Sequence, residues 1–152
     1  MKKLLIIILL SSCSLNVKSK NKCDYCQEIY FEDIEYKINN NDDFILIIKN
    51  DECSICQQYN YVLDEYIYKY KIDIYFLDSN YLNLNNPNII NFIDEVKEKS
   101  GAKDNAILPA TLFYLDGKLI NVEIGVLSEK ELHNNLELLF STKWFYDIIN
   151  ML

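Results

Sequence analysis

The chain is 152 residues long, the size of one ordinary domain, and half of it is hydrophobic, so it can bury a core and is not a disordered tail. Twenty-three acidic residues against fifteen basic ones, every basic one a Lys, give a formal charge of −8. That balance excludes a binder of nucleic-acid phosphates, which needs a basic face. Three Gly and two Pro leave no room for a glycine-rich phosphate loop. Five cysteines are an odd number for a small chain, and one of them needs a separate role.

Lys2 and Lys3 precede an apolar run from Leu4 to Leu10, followed by Ser11-Ser12-Cys13. The run is far short of the roughly 20 residues that span a bilayer as a helix, and it fits the apolar centre of a secretory signal. Leu10-Ser11-Ser12-Cys13 resembles the bacterial lipobox, which implies lipid transfer to the Cys13 thiol and cleavage before it. Residues 1–12 are therefore expected to be a signal peptide, and Cys13 a lipid-attachment site on the periplasmic or extracellular face of a bacterial membrane. The alternative is a plain signal peptide cut near the same place. The remaining cysteines form two pairs of identical spacing, Cys23-Asp24-Tyr25-Cys26 and Cys53-Ser54-Ile55-Cys56. An exported chain meets an oxidising compartment, where such pairs form or exchange disulfides.

Residues 13–28 read as a polar tether carrying the first pair, and Ile29–Phe31 as a short strand. Asp33 to Asn39 suits a turn or two of helix, ended by the Asn39-Asn40-Asn41-Asp42 cluster. Phe44 to Ile48 is a continuous apolar, β-branched run, the pattern of a strand buried on both faces. Tyr59, Val62, Leu63, Tyr66, Ile67 and Tyr70 then repeat at helical spacing, which predicts a helix from about Ser54 to Tyr70 with the tyrosines facing a core. Ile72–Leu77 is a second strand. Asn86 and Pro87 open a helix through Ile89, Ile93 and Val96 that stops near Gly101. Ala106–Leu115 is strand-like and broken only by Pro109, Asp116-Gly117 is a hairpin signal, and Leu119–Ile124 is the returning strand. Ser128 and Glu131 form a capping box for a helix through Leu132, Leu136 and Leu139. This order predicts an α/β domain with a mixed sheet, parallel crossovers first and an antiparallel hairpin last.

A Cys-x-x-Cys at a strand-to-helix junction has a specific chemical meaning. The first Cys sits where unpaired backbone N–H groups and the helix dipole stabilise a thiolate, and the second lies one turn on, within reach of a disulfide. Cys53 is thus placed as nucleophile and Cys56 as the residue that resolves a mixed disulfide. Together with Leu108-Pro109-Ala110-Thr111 and the strand order, this arrangement resembles the thioredoxin superfamily over roughly Ile29 to Phe140. The resemblance implies a thioredoxin-like mixed sheet flanked by helices, a cis Pro109, and backbone groups of Leu108 that pair with a bound substrate strand. It also implies a thiol–disulfide oxidoreductase whose redox centre is its own disulfide, without a cofactor or metal. Expected partners are disulfides or thiols of exported proteins and peptides, a membrane reached through the lipid, and a membrane electron donor. The run from Ile47 to Cys56 is similar to small bacterial thioredoxin-like proteins known as bacteriocin-transport accessories. The implied organisation is a thioredoxin-like domain at 29–140 and a C-terminal helical extension at 141–152.

The chain departs from thioredoxin at several positions. Glu52 replaces the Trp that precedes the first Cys, Ser54-Ile55 replaces Gly-Pro, and Ile47 stands where thioredoxin buries an acid six residues before that Cys. Asp51 and Glu52 are expected to oppose the Cys53 thiolate and raise its pKa, favouring a reductant or isomerase-like poise. For Cys23 and Cys26 three roles stay open: an accessory disulfide, a second redox pair feeding Cys53, or half of a four-thiolate zinc site with Cys53 and Cys56. The 26 residues between the pairs exceed the usual ribbon spacing of such zinc sites. A rival from another class is a non-catalytic lipoprotein that binds exported peptides in the same groove. His133, the sole histidine, reads as a solvated or packing residue. Trp144, Phe145, Ile148, Ile149 and Leu152 read as an added helix that closes the sheet.

Overall fold

The computed structural model describes residues 26–102 and 107–151, with side chains through Leu139 and at Ser141. The elements in chain order are β1 (Cys26–Glu28), α1 (Phe31–Asn39), β2 (Phe44–Lys49), α2 (Ser54–Tyr70), β3 (Ile74–Asp78), a 3-10 turn (Ser79–Tyr81), α3 (Pro87–Ser100), β4 (Ala110–Leu115), β5 (Lys118–Ile124) and α4 (Glu129–Met151). Among the described residues the strands form one sheet in the order β1-β3-β2-β4-β5. β1 and β2 both run parallel to β3, while β4 is antiparallel to β2 and to β5. This is the predicted mixed sheet, with parallel crossovers first and the hairpin last.

The continuous apolar run of β2 is explained by its central place. Phe44, Leu46 and Ile48 pack on one face of the sheet with Phe31, Ile34, Phe92 and Val96 of α1 and α3. Ile45 and Ile47 pack on the other with Tyr59, Leu63, Tyr66 and Leu132 of α2 and α4. Alternate residues of a strand point to opposite faces, so a strand covered on both sides must be apolar at every position. The tyrosine stripe of α2 is core-facing at Tyr59 and Tyr66, as its spacing predicts, while Tyr61 and Tyr68 face solvent.

One polar pair in this core is set by register, whereas the buried Tyr114 hydroxyl finds no hydrogen-bond partner among the described residues. Thr111 is fully buried opposite Ile47, and its Oγ1 stands 2.8 Å from the Tyr59 hydroxyl. Tyr59→Phe would leave the Thr111 hydroxyl buried without that partner, and an expected loss of about 1–3 kcal/mol follows. Pairing Tyr59→Phe with Thr111→Val should recover much of it, which denaturant unfolding of the two variants measures. His133 is held by contacts on α2 and α4: its Nδ1 lies 3.4 Å from the Tyr66 hydroxyl, its Nε2 3.3 Å from Glu137 Oε1, and its ring tilts against Tyr70 at 5.2 Å.

The helix signals hold at their ends. Asn86 accepts the Asn88 N–H at 3.0 Å ahead of Pro87, and Gly101 closes α3 in the left-handed conformation at φ +66°. Ser128 and Glu131 exchange the two bonds of a capping box. Several expected boundaries move: β3 begins at Ile74 rather than Ile72, and β4 begins at Ala110, so residues 107–109 precede the strand. The last residues of the predicted tether, Cys26–Glu28, are the edge strand β1, and the chain enters α1 directly afterwards, so Ile29–Phe31 is not a strand. A three-residue edge strand carries too few positions for periodicity to reveal it. The separate helix expected at 141–152 is the unbroken continuation of α4 through Met151. Neither Gly nor Pro interrupts that stretch, and Ser141 is absorbed by donating its hydroxyl to the Leu138 carbonyl at 2.9 Å. The side chains of Trp144, Phe145, Ile148 and Ile149, and Leu152 itself, lie outside the described residues. Among the described residues no helix is long and apolar enough to cross a membrane.

Candidate functional site

β2 ends at Lys49 and the chain turns through Asn50-Asp51-Glu52 into α2. Asn50 makes the turn: its Oδ1 accepts the Glu52 N–H at 2.8 Å and its carbonyl accepts the Cys53 N–H at 3.1 Å. Cys53 is the N-cap of α2, and its Sγ accepts the Cys56 N–H at 3.2 Å. A sulfur therefore takes the place that Ser or Asp usually fills at a helix start, where a negative charge meets unpaired donors. Cys53 is partly exposed, Cys56 is buried, and both are free thiols.

The two sulfurs are electrostatically distinct. The Cys56 thiol donates to Cys53, and the amides of Cys56 and Ile55 add to it, so the Cys53 pKa falls below the ordinary thiol value despite some desolvation. Burial, and then its bond to Cys53, push the Cys56 thiol up to about 11. The expected upward push on Cys53 from Asp51 and Glu52 is thus overturned, because donors aimed at the sulfur outweigh carboxylates that point to solvent. A lowered pKa means that thiolate persists to lower pH. Cys53 should accordingly reach half its maximal rate of alkylation by iodoacetamide at a lower pH than a free cysteine thiol measured alongside. Cys56 should stay unreactive in that range, and a Cys53 midpoint at or above the free value would contradict the assignment.

The second strand of the site arrives from β4. Ala110 pairs with Ile48, so Pro109 stands at the sheet end from which the cysteine turn leaves β2. The Leu108–Pro109 peptide is cis, as the sequence resemblance implied. The Gly125 amide donates to the Pro109 carbonyl at 2.8 Å, which brings the β5–α4 turn and Val126 alongside. Apolar side chains are left exposed on the two turns that meet at this end of the sheet: Ile55 is 50% exposed and Val126 40%. An apolar cavity of about 230 Å³ opens beside Leu108, lined by Ile48, Leu82, Leu84 and Ile93.

Cys26 is not part of this site. It pairs with Ile74, which pairs with Ile45, four residues before the end of β2. Two strand spacings across and four residues along place Cys26 roughly 16 Å from the Lys49 backbone, toward the opposite end of the sheet from the cysteine turn. A cavity of about 810 Å³, lined by Cys26, Lys49 and Asp51 among others, lies between. Thiolates sharing one zinc ion must each stand about 2.3 Å from it. The four-thiolate site is therefore overturned, as is direct exchange between Cys26 and Cys53 within one chain in this arrangement. Cys26 is disulfide-bonded. Cys23, its expected partner, and Cys13 lie outside the described residues. No group of three or more His, Cys, Asp or Glu able to hold a metal ion occurs among the described residues.

Solved structures share this fold. Thioredoxin from Trypanosoma brucei brucei superposes with a TM-score of 0.56 at 12% identity, over 80% of this chain and 99% of that one. Mitochondrial thioredoxin 3 from Saccharomyces cerevisiae gives 0.53 at 16%, over 74% and 93%. A thioredoxin from Nicotiana alata gives 0.54 at 15%, over 80% and 97%. The chain has the thioredoxin fold. Within that fold it carries a Cys53-Ser54-Ile55-Cys56 pair at the start of α2 and a cis proline beside it. No protein-family profile and no curated protein sequence matches the chain.

Both cysteines, Leu108 and Pro109 are legible in the sequence as site residues, whereas Asn50 and the Tyr59–Thr111 pair are not. Thr111 is signalled by being the one aliphatic hydroxyl in the apolar run Ala110–Leu115. The partners of Asn50 beyond its own turn lie 29 and 30 residues away, and no local pattern announces them.

Proposed function

We propose that the protein is an extracytoplasmic, membrane-anchored thiol–disulfide oxidoreductase acting through Cys53 and Cys56. The observation that carries this reading is Cys53 as the N-cap of α2, its partly exposed sulfur accepting the Cys56 N–H while the Cys56 thiol stays buried behind it. The Cys53 thiolate attacks one sulfur of a partner disulfide. A bond forms between Cys53 and that sulfur, the partner's S–S bond breaks, and its other sulfur leaves as a thiolate that takes a proton from solvent. Cys56 then gives up its proton and attacks the Cys53 sulfur, closing the Cys53–Cys56 disulfide and releasing the second partner thiolate. The partner gains two electrons and the dithiol loses two; the reverse sequence oxidises a partner dithiol.

An extended segment of the partner would pair with the backbone at Leu108 and lay its side chains over Ile55 and Val126. No bound cofactor takes part in this exchange, since the sulfurs are themselves the redox centre. A thiol or other electron donor at the membrane would reset the pair. Reduction of insulin disulfides tests the reading: wild type should be active and Cys53→Ser inactive, and equal activity would leave a non-catalytic peptide-binding lipoprotein as the better account.

The anchor rests on Lys2, Lys3, the Leu4–Leu10 run and Leu10-Ser11-Ser12-Cys13. Multiple acyl chains on Cys13 would hold the chain stably at about 0.8 kcal/mol per buried methylene. In a bacterial host, wild type should sediment with membranes and incorporate labelled palmitate, whereas Cys13→Ser should do neither. Equal partitioning of the two would remove the lipid.

A further inference from the structure

The turn that holds Cys53 is also tied to a distant part of the chain. Asn50 Nδ2 donates to Asn80 Oδ1 at 3.1 Å and approaches Ser79 Oγ at 3.4 Å, while its Oδ1 accepts the Glu52 N–H. Its main chain brackets both cysteines. The carbonyl holds the Cys53 amide at 3.1 Å, Cys53 Sγ accepts the Cys56 N–H at 3.2 Å, and the Asn50 amide acts on the Cys56 thiol to lower its pKa against burial. One residue thus fixes the turn locally, pins it to the 3-10 turn after β3, and presents a donor to the buried thiol.

We infer that Asn50 is a positioning residue for the second half of the exchange, its side-chain bonds to Ser79 and Asn80 holding the Asn50 amide on the Cys56 sulfur as Cys56 attacks Cys53. This deepens the redox reading above and rests on it. The step itself is unchanged: Cys56 loses its proton, the Cys56–Cys53 bond forms, the bond from Cys53 to the partner breaks, and the departing thiolate takes up a proton. Asn50 contributes direction and a hydrogen bond to the attacking sulfur, and touches no partner atom. Its loss should therefore slow resolution and spare the first attack.

The test uses the aromatic disulfide DTNB and the full chain carrying Cys13→Ser, Cys23→Ser and Cys26→Ser, so that only the site thiols report. The first thionitrobenzoate released reads attack by Cys53, and the second reads resolution by Cys56. Asn50→Ala should slow the second release roughly tenfold, the worth of one hydrogen bond to a charged group. The first release should change by less than about twofold. Asn50→Asp keeps the side chain's size and its acceptor for Glu52 but loses the donor, so it should also resolve slowly. Ser79→Ala with Asn80→Ala removes the same bonds from the other side, without a new charge, and should reproduce the defect. Wild-type resolution in the Asn50→Asp chain and in the Ser79→Ala, Asn80→Ala chain would overturn the inference. So would equal slowing of both releases together with a lowered melting temperature, the mark of a merely structural role. A wild-type site that releases one equivalent and never the second would overturn the redox reading, and this inference with it.

Discussion

Cys56→Ser should accumulate a stable mixed disulfide with partner proteins or with DTNB, while Cys53→Ser should form none. The asymmetry follows from where each sulfur stands. Cys53 is partly exposed, caps α2 and has its pKa lowered by donors from Cys56 and Ile55. Cys56 is buried, and its thiol is pushed up to about 11, so at neutral pH it waits as a thiol until Cys53 has captured a partner. Serine in place of Cys53 keeps an N-cap acceptor and hence the helix, but its hydroxyl is not ionised at neutral pH, so the nucleophile is gone while the fold remains. Serine in place of Cys56 leaves the attack intact and removes only the escape. Non-reducing gels with mass spectrometry read both outcomes. Trapping through Cys56 in the Cys53→Ser chain would reverse the assigned roles.

Gly117→Ala should be among the most destabilising single changes outside the core, with an expected cost of roughly 3 kcal/mol. The residue sits in the β4–β5 hairpin at φ +69°, beside Asp116 at φ +49°, which is the backbone that a two-residue turn of this hand requires. Strain alone would cost about 1 kcal/mol. The larger part comes from contact: a Cβ at this position would stand 2.3 Å from the Ile38 carbonyl oxygen, where α1 ends. Backbone on both sides leaves little to move, because the Gly117 amide donates to the Asp42 carbonyl at 3.0 Å and the Asp116 amide to Asp43 Oδ1 at 2.9 Å. Gly101 provides the internal control. Its φ is +66°, yet a Cβ there meets nothing within 4 Å, so Gly101→Ala should cost only the strain. Urea unfolding of the two variants separates the contributions, and equal losses would show that the α1 contact carries none of the effect.

The parts of the fold with strong period and punctuation were legible from residues alone. β2 read as a doubly covered strand because five successive apolar positions permit little else, and α2 was bounded closely by its tyrosine and leucine stripe. Pro109 was legible because a proline in a strand-like run needs a reason, and it stands just ahead of β4, which begins at Ala110. The edge strand at Cys26–Glu28 was hidden by its length and by a polar neighbourhood whose pairing with β3 is a tertiary event. The electrostatics of Cys53 were misread for a related reason. Asp51 and Glu52 are visible in the sequence as charges, whereas the thiol and amides that lower the Cys53 pKa appear only once α2 has formed. Asn50 is the same lesson at longer range, since its hold on Ser79 and Asn80 needs the β2–β3 pairing to exist first.

A redox titration of the Cys53–Cys56 pair in glutathione buffers, read by thiol alkylation and mass, tests the central claim most directly. It should be run with Cys23 and Cys26 intact and again with both replaced by serine. The account predicts one two-electron transition that converts both site thiols to a single disulfide, at the same potential in the two chains, because Cys26 stands roughly 16 Å from the end of β2. Site thiols that remain unpaired across the whole range would contradict it.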